Sequence, residues 1–298
     1  MSVRTEVELG GRNVVLTNLD RVMWPAAALT KQWLVDYYVA VAEPLIPHLA
    51  GRPLTLARFP EGLDRPGFLQ NECRGRPSWM HVQALTLRDG TVRRYCVIDD
   101  LPSLAWVANL GTVELHPYLS RGDDRPLAVV FDLDPHEGTA ALDAWRVALD
   151  LRERLAGRGL RSFAKTSGAT GLHVFVPLNT PHRFEETRTF AREVADELAA
   201  AQPDRVSAST RPADRAGHVF VDWLQNDPRR STVAPYSLRA SEPPGVSTPL
   251  AWAEVEAVVA AGQPDARSFT PDEVLERLRR TGDAFAPVVE LRQRLDGN

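Results

Sequence analysis

The stretch Ala128-Val129-Val130-Phe131-Asp132-Leu133-Asp134-Pro135 decides the fold. Val129, Val130 and Phe131 are β-branched or aromatic and run directly into two aspartates spaced i, i+2. That pattern predicts a buried strand ending at Pro135, which has no N–H to continue a ladder. Side chains alternate along a strand, so Asp132 and Asp134 leave one face and Leu133 the other. Two ionised carboxylates side by side repel and resist burial unless a cation or a shared proton compensates. A hard divalent ion with oxygen ligands meets that demand.

Downstream, residues 138–155 read as a helix with Leu142, Trp145, Leu149 and Leu155 as its apolar stripe, ended by Gly157 and Gly159. Two strands follow, 161–166 and 172–177, joined by Ser167-Gly168-Ala169-Thr170-Gly171. Such a loop lets backbone N–H groups and hydroxyls converge on an anion, with Lys165 and His173 flanking it. It lacks the spacing of a Walker loop or a dinucleotide fingerprint. After a helix at 184–201, the loop 203–217 carries Arg205, Arg211 and Arg215, the composition of a phosphate-facing loop or of solvated surface. A strand at 218–223 then puts His218, Phe220 and Asp222 on one face. A third carboxylate at the end of an apolar strand is what a two-cation site requires. Beyond it lie Gln225, Arg229 and Arg230, and Arg239 follows a short strand-like stretch from which its guanidinium could reach a triphosphate.

Upstream, residues 5–16 alternate around Gly10-Gly11 as a hairpin does. Thr30 caps a helix beginning at Lys31, with Leu34, Tyr38, Ala42, Leu45 and Leu49 as its apolar face and Pro44 and Pro47 limiting its far end. A strand at 53–59 leads into a segment, 60–79, rich in Gly, Pro, Arg and aromatics. Phe68 and Trp79, set among Arg74 and Arg76, either stack on unpaired bases or fold back into the core. Strands at 84–87 and 92–98 flank an Asp89-Gly90 turn, a helix spans 101–110, and an extended run places His116 before Pro117. Taken alone, a histidine there is more often structural than ligand-binding. The tail is helical at 252–261 and again from Thr270-Pro271-Asp272-Glu273, a capping box stopped by Gly282.

With 298 residues, 44% hydrophobic and 25% charged, the composition is that of an ordinary globular protein with room for one large domain or two lobes. There is no signal-like start and no apolar run long enough to span a bilayer, so a cytoplasmic location and no membrane contact are expected. Cys73 and Cys96 make no CxxC pair and read as buried thiols rather than a zinc or disulfide framework. The net charge of -4 excludes a uniformly cationic nucleic-acid coat but not a local patch. Lys31 and Lys165 are the only lysines; every other basic residue is arginine, which suits phosphate binding but reflects a biased genome more than function.

FDLDP (131–135), KTSGATGLHVFVP (165–177), HVFVDWLQN (218–226) and APYSLRA (234–240), in this order, together resemble the polymerase domain of bacterial DNA ligase D, in the archaeo-eukaryotic primase superfamily. Residues 29–56 and ELHPYLSR (114–121) extend the resemblance over nearly the whole chain. It implies an α+β fold: an RRM-like antiparallel catalytic sheet with flanking helices over about residues 126–298, and an N-terminal α/β module over about residues 1–125. It implies template-dependent transfer of nucleotides, ribonucleotides preferred, to a primer 3′-hydroxyl at gaps or broken ends, as in non-homologous end joining. Asp132, Asp134 and Asp222 match the catalytic, metal-binding carboxylates for two divalent ions, Mn2+ or Mg2+. One ion would activate the 3′-hydroxyl and the other would bridge the triphosphate. His116, Ser167, His173 and Arg239 match nucleotide-contacting positions, with Lys165, Gln225 and Arg230 beside them. Phe68, Arg74, Arg76, Arg211 and Arg215 are the DNA-facing candidates.

The implied partners are gapped or broken duplex DNA, nucleoside triphosphates, Ku and a DNA ligase, at the nucleoid in the cytoplasm. The family's lysine for a downstream 5′-phosphate is Asn71 here, its second aromatic is Leu69, and Thr170 replaces a basic residue of some relatives, which leaves Arg74 and Arg76 as substitutes. Two other readings compete. One is a DNA-end-binding module without catalysis. The other is a phosphohydrolase with an aspartate nucleophile, against which Pro135-His136 stands where such enzymes carry Gly-Thr.

Overall fold

The computed structural model describes residues 4–262 and 269–295. The chain opens with β1 (Arg4–Leu9) and β2 (Arg12–Thr17), the hairpin expected around Gly10-Gly11, then β3 (Val22–Trp24) and β4 (Leu29–Thr30). Helix α1 (Lys31–Ala40) begins under the Thr30 cap, whose hydroxyl accepts from the Trp33 N–H. The stripe expected as one helix is two, because α1 stops at Val41 and α2 (Ala42–Leu49) carries both prolines. Pro44 has no N–H to give the Ala40 carbonyl, so the ladder cannot pass Val41 unbroken.

Next come β5 (Leu54–Arg58), β6 (Phe68–Gln70), β7 (Val82–Thr86), β8 (Val92–Cys96), α3 (Leu101–Asn109) and β9 (Thr112–Pro117). They form a sheet in the order β6-β5-β8-β7, with β9 also paired to β5. Cys73 and Cys96, expected as separate thiols, are joined in a disulfide, their Cα atoms 4.9 Å apart. The Cys73 N–H donates to the Arg94 carbonyl, which lays Cys73 against β8 two residues from Cys96. That pairing is tertiary and leaves no mark in the spacing of the two cysteines.

The chain continues through β10 (Ala128–Pro135), α4 (Ala141–Ala156), β11 (Phe163–Thr166), β12 (Leu172–Pro177), α5 (Phe184–Ala201), β13 (Val206–Ser207), β14 (Val219–Asp222), β15 (Leu238–Arg239) and β16 (Gly245–Val246). It ends with β17 (Pro249–Leu250), α6 (Trp252–Ala261), α7 (Pro271–Thr281) and α8 (Pro287–Glu290). The deciding stretch is β10 over its full expected length. It lies inside a six-stranded sheet ordered β13-β14-β10-β12-β11-β17, antiparallel except where β13 joins β14. Val129, Val130, Phe131 and Leu133 have no accessible surface, and α4 and α5 pack against this strand. Each such side chain contributes roughly 1.5–3 kcal/mol on burial.

Two compact units result: Met1–Gly122 with Ser231–Val246 and Thr270–Gly282, and Asp123–Arg230 with Ser247–Phe269 and Asp283–Asn298. The first break falls beside the boundary expected near residue 125, but two later segments return to the first unit. One of them is stitched to β9: the Thr232 and Ala234 N–H groups donate to the Pro117 and Leu115 carbonyls, and Ser231 bridges to Tyr118. Pairings of such sequence separation have no local signature. Among the described residues no helix is long and apolar enough to cross a membrane.

Gly171 joins the β11–β12 loop to β10 by close approach. A Cβ built there would lie 2.4 Å from the Leu133 carbonyl oxygen, a backbone atom that cannot move aside. Gly171→Ala is therefore expected to lower stability by roughly 1–3 kcal/mol, as overpacking does. Urea denaturation checks it; an unchanged midpoint would contradict this packing.

Candidate active site

The register of the six-stranded sheet lines up three polar residues on three strands. Asp132 on β10 is opposite Asp222 on β14 and opposite His173 on β12. Directly opposed residues hold their Cβ atoms about 4.5–5.5 Å apart. Asp134 sits one step along the same face, and Leu133 between the aspartates is fully buried on the other. The acidic pair is therefore a trio of carboxylates at the end of two apolar strands.

Their charges are poorly compensated. Burial, and then the charge of Asp132, push the Asp134 carboxyl above the usual carboxylate range, with His136 and Arg215 pulling it back. Burial and Asp132 likewise raise Asp222, against the Leu224 N–H, 2.9 Å from Oδ1, and the charges of Arg230 and Arg215. Gln225 Nε2 lies 3.4 Å from Asp222 Oδ2, while its Oε1 is buried with no hydrogen-bond partner. Asn226 braces the strand behind the trio, accepting from the Val130 N–H at 2.9 Å and donating to its carbonyl at 2.8 Å.

His173 connects the carboxylates to a buried cation. Its Nε2 is 3.2 Å from Asp132 Oδ1, and its Nδ1 is 3.0 Å from Lys165 Nζ, which also reaches Ser247 Oγ at 2.6 Å. Ser247 donates onward to the Thr166 carbonyl at 2.7 Å, so its oxygen accepts from Lys165. An ionised carboxylate only accepts, which places a hydrogen on Nε2 and leaves Nδ1 to accept from the amine. Lys165, expected beside the nucleotide, is fully buried, with its amine against His173 Nδ1. The loop after it also departs from expectation. The Ala169 and Gly171 N–H groups turn inward onto Ser167 Oγ, both at 3.2 Å, rather than outward to an anion.

Arg215 is not a free loop cation. Its guanidinium stacks 3.6 Å from the Phe220 ring centre and donates to the Ser209 and Thr210 carbonyls at 3.1 Å. Arg211 and Arg230 are exposed.

His116 and Arg239 belong to the first unit, where both meet a residue that sequence reading passed over. Glu114 Oε2 lies 2.8 Å from His116 Nε2 and 3.1 Å from Arg239 NH1, and Oε1 accepts from the Ala240 N–H at 2.9 Å. The available signal was the period of two, which puts Glu114 on the face of His116. In the same unit Phe68 and Leu69 are exposed, with the Arg58 guanidinium 5.3 Å from the Phe68 ring centre. The Phe68 ring thus does not fold back into the core. Arg74 is exposed and pairs with Glu72 at 2.8 Å, and exposed Arg76 reaches the Cys73 carbonyl at 3.4 Å.

Among the described residues no three His, Cys, Asp or Glu side chains come close enough to cage an ion unaided. The donor set nonetheless fits a hard divalent cation. It is all oxygen, the carboxyls of Asp134 and Asp222 stay above the usual range despite the neighbouring cations, and Gln225 Oε1 is an unused buried acceptor beside it. An ion such as Mg2+ is commonly held by one or two carboxylates, with water and substrate phosphate filling the rest of its sphere.

A mainly antiparallel sheet with an acidic pair on one inner strand and a third carboxylate on its neighbour accords with the archaeo-eukaryotic primase fold of nucleotidyltransferases. The chain belongs to the LigD primase-polymerase domain family, whose model matches residues 30–285. It is 38% identical over 280 residues to the multifunctional non-homologous end joining protein LigD of Mycolicibacterium smegmatis, covering 92% of this chain and 36% of that protein. It is 29% identical to the bifunctional LigD of Bacillus subtilis, covering 90% of this chain and 43% of that protein. The chain thus spans well under half the length of either relative. Among solved structures, the polymerase domain of Mycobacterium tuberculosis ligase D, in complex with DNA, superposes with a TM-score of 0.86 at 36% identity, covering 94% of this chain and 99% of that one.

The raised carboxylates give a pH-dependent expectation. A carboxyl whose pKa is higher folded than unfolded costs stability at neutral pH, and the cost disappears once pH falls below the unfolded value. Asp134→Asn should therefore raise Tm at pH 7, by an increment that shrinks to nothing below about pH 4. Added Mn2+ should raise the Tm of the wild-type chain more than that of the variant. Calorimetric scans across pH decide it; a variant that melts below the wild-type chain at pH 7 would contradict the electrostatics described.

Proposed function

We propose that this domain adds nucleotides, ribonucleotides by preference, to a primer 3′-hydroxyl on gapped or broken duplex DNA, as a step of non-homologous end joining at the nucleoid in the cytoplasm. The observation that carries the reading is the register of Asp132 against Asp222, with Asp134 on the same face. Such a cluster has no structural use that outweighs its repulsion, and it suits the charge and oxygen preference of divalent ions, Mn2+ or Mg2+. When bound, two such ions would lower the pKa of the 3′-hydroxyl and neutralise charge on the triphosphate.

The chain's own groups have separable roles in this reading. Asp132 and Asp222 bind and orient, and His173, fixed by Lys165, restricts the rotamer of Asp132. Ser167 braces the loop beside them. Gln225 and Arg230 adjoin Asp222, and Arg239 and His116 are the groups for the nucleotide's phosphates. Phe68 offers an exposed ring for base stacking, and Arg74, Arg76, Arg211 and Arg215 offer charge to the DNA backbone. Ku and a DNA ligase activity are the partners proposed for this domain, a reading that rests on the likeness to non-homologous end joining proteins.

Primer extension on a short gapped duplex with Mn2+, run with each class of nucleotide, tests the reading. The expected result is extension by the wild-type chain and a loss of roughly 100-fold or more in Asp134→Ala with its folding intact. A chain that binds the duplex but never extends it would instead be a DNA-end-binding module.

A further inference from the structure

We infer that Glu114 is a positioning residue for the incoming nucleotide, holding Arg239 and His116 in the geometry in which they meet its phosphates. This inference rests on the proposed role of those two residues as phosphate-binding groups.

One carboxylate organises the cluster. Oε2 is shared between the His116 ring and the Arg239 guanidinium, at 2.8 and 3.1 Å, while Oε1 takes the Ala240 N–H at 2.9 Å. Glu114 lies on β9 opposite Ala57 of β5, which fixes its backbone, and its side chain is 13% exposed. Burial alone would raise its carboxyl, but the His116 hydrogen bond, the Arg239 charge and the Ala240 N–H together hold it below the usual range, so it is ionised.

The two side chains are anchored by one side only. Beyond Glu114, the Arg239 fork makes no other hydrogen bond or ion pair among the described residues, and neither does His116 Nδ1. A guanidinium has five N–H donors, and a carboxylate that restrains one edge leaves the rest for another anion. Arg239 is 24% and His116 19% exposed at the side chain, enough for access by a ligand.

A purely structural role is poorly motivated, because the segment bearing Arg239 is already secured without Glu114. Ser237 Oγ accepts from the Leu115 N–H at 3.0 Å, the Ala234 N–H donates to the Leu115 carbonyl at 2.8 Å, and Tyr37 OH donates to the Tyr236 carbonyl at 2.9 Å. What Glu114 adds is orientation of two side chains that would otherwise sample many rotamers. Ordering them during folding removes that cost from nucleotide binding. The opposite device is a carboxylate that competes with phosphate for the same two side chains. The two differ in the sign of the effect on nucleotide affinity.

The test is steady-state primer extension by the wild-type chain, Glu114→Gln and Glu114→Ala across a range of nucleoside triphosphate concentration, with the primer duplex saturating. The expected result is a nucleotide KM raised on the order of tenfold in Glu114→Ala, with kcat far less affected, as misplacement of binding groups predicts. Glu114→Gln, nearly isosteric and keeping one accepting oxygen, should fall between. It also keeps the question answerable if the alanine variant fails to fold. A second readout is the 15N spectrum of the His116 ring, which should show hydrogen on Nε2 in the wild-type chain and a weaker bias in Glu114→Ala, with Glu114→Gln between them. Extension with an unchanged or lowered KM in the glutamine variant would overturn the role of Glu114 alone. No extension by the wild-type chain would overturn the polymerase reading and this inference with it.

Discussion

Three carboxylates on two neighbouring strands of one sheet repel one another, and the rest of the second unit is arranged around tolerating that repulsion. Asp132 is the common member: its charge raises both Asp134 and Asp222. Water alone does not relieve it, because Asp132 and Asp222 are partly buried. The compensation is therefore local and incomplete. His173 donates to Asp132, Arg215 acts on both outer aspartates from its stack on Phe220, and Arg230 acts on Asp222. What is left over is an oxygen-lined site in which two of the three carboxyls are held above the usual range.

Holding that geometry requires stiffness behind it. The apolar half of β10 is fully buried, and Asn226 imitates a ladder partner to Val130 where β14 no longer reaches. Gly171 lets the β11–β12 loop lie directly on the Leu133 carbonyl. Lys165 is the costliest component, an amine without solvent contact, satisfied by Ser247 and His173. An unpaired buried charge would be strongly destabilising. It is tolerated because it completes a row of hydrogen bonds that ends on Asp132. In the first unit the roles are exchanged, where a carboxylate, Glu114, restrains an arginine and a histidine.

Much of this was legible in the sequence where the signal was local. The β-branched run ending in DLDP gave a strand with the observed limits, the Thr30 and Thr270 caps marked helix starts, and 184–201 is one helix as its periodicity demands. The three carboxylates were legible for the same reason, because period two assigns faces without knowledge of the fold. What was not legible depends on tertiary pairing. The Cys73–Cys96 bridge follows from a strand-edge hydrogen bond, and the return of Ser231–Val246 to the first unit follows from contacts with β9. Lys165 read as a flanking charge because burial cannot be seen in a sequence. Glu114 was missed although the rule that found Asp134 also places it beside His116. A lone glutamate on a strand usually faces solvent, and only the fold supplies its partners.

The central claim is that the trio built on Asp132 binds divalent cations. Titration of Mn2+ into the wild-type chain and into Asp132→Asn, followed by the loss of the free-ion electron paramagnetic resonance signal with and without a nucleoside triphosphate, addresses it without dependence on catalysis. The account predicts Mn2+ binding by the wild-type chain, strengthened by the triphosphate and largely lost in the variant. Equal binding by both proteins would contradict it.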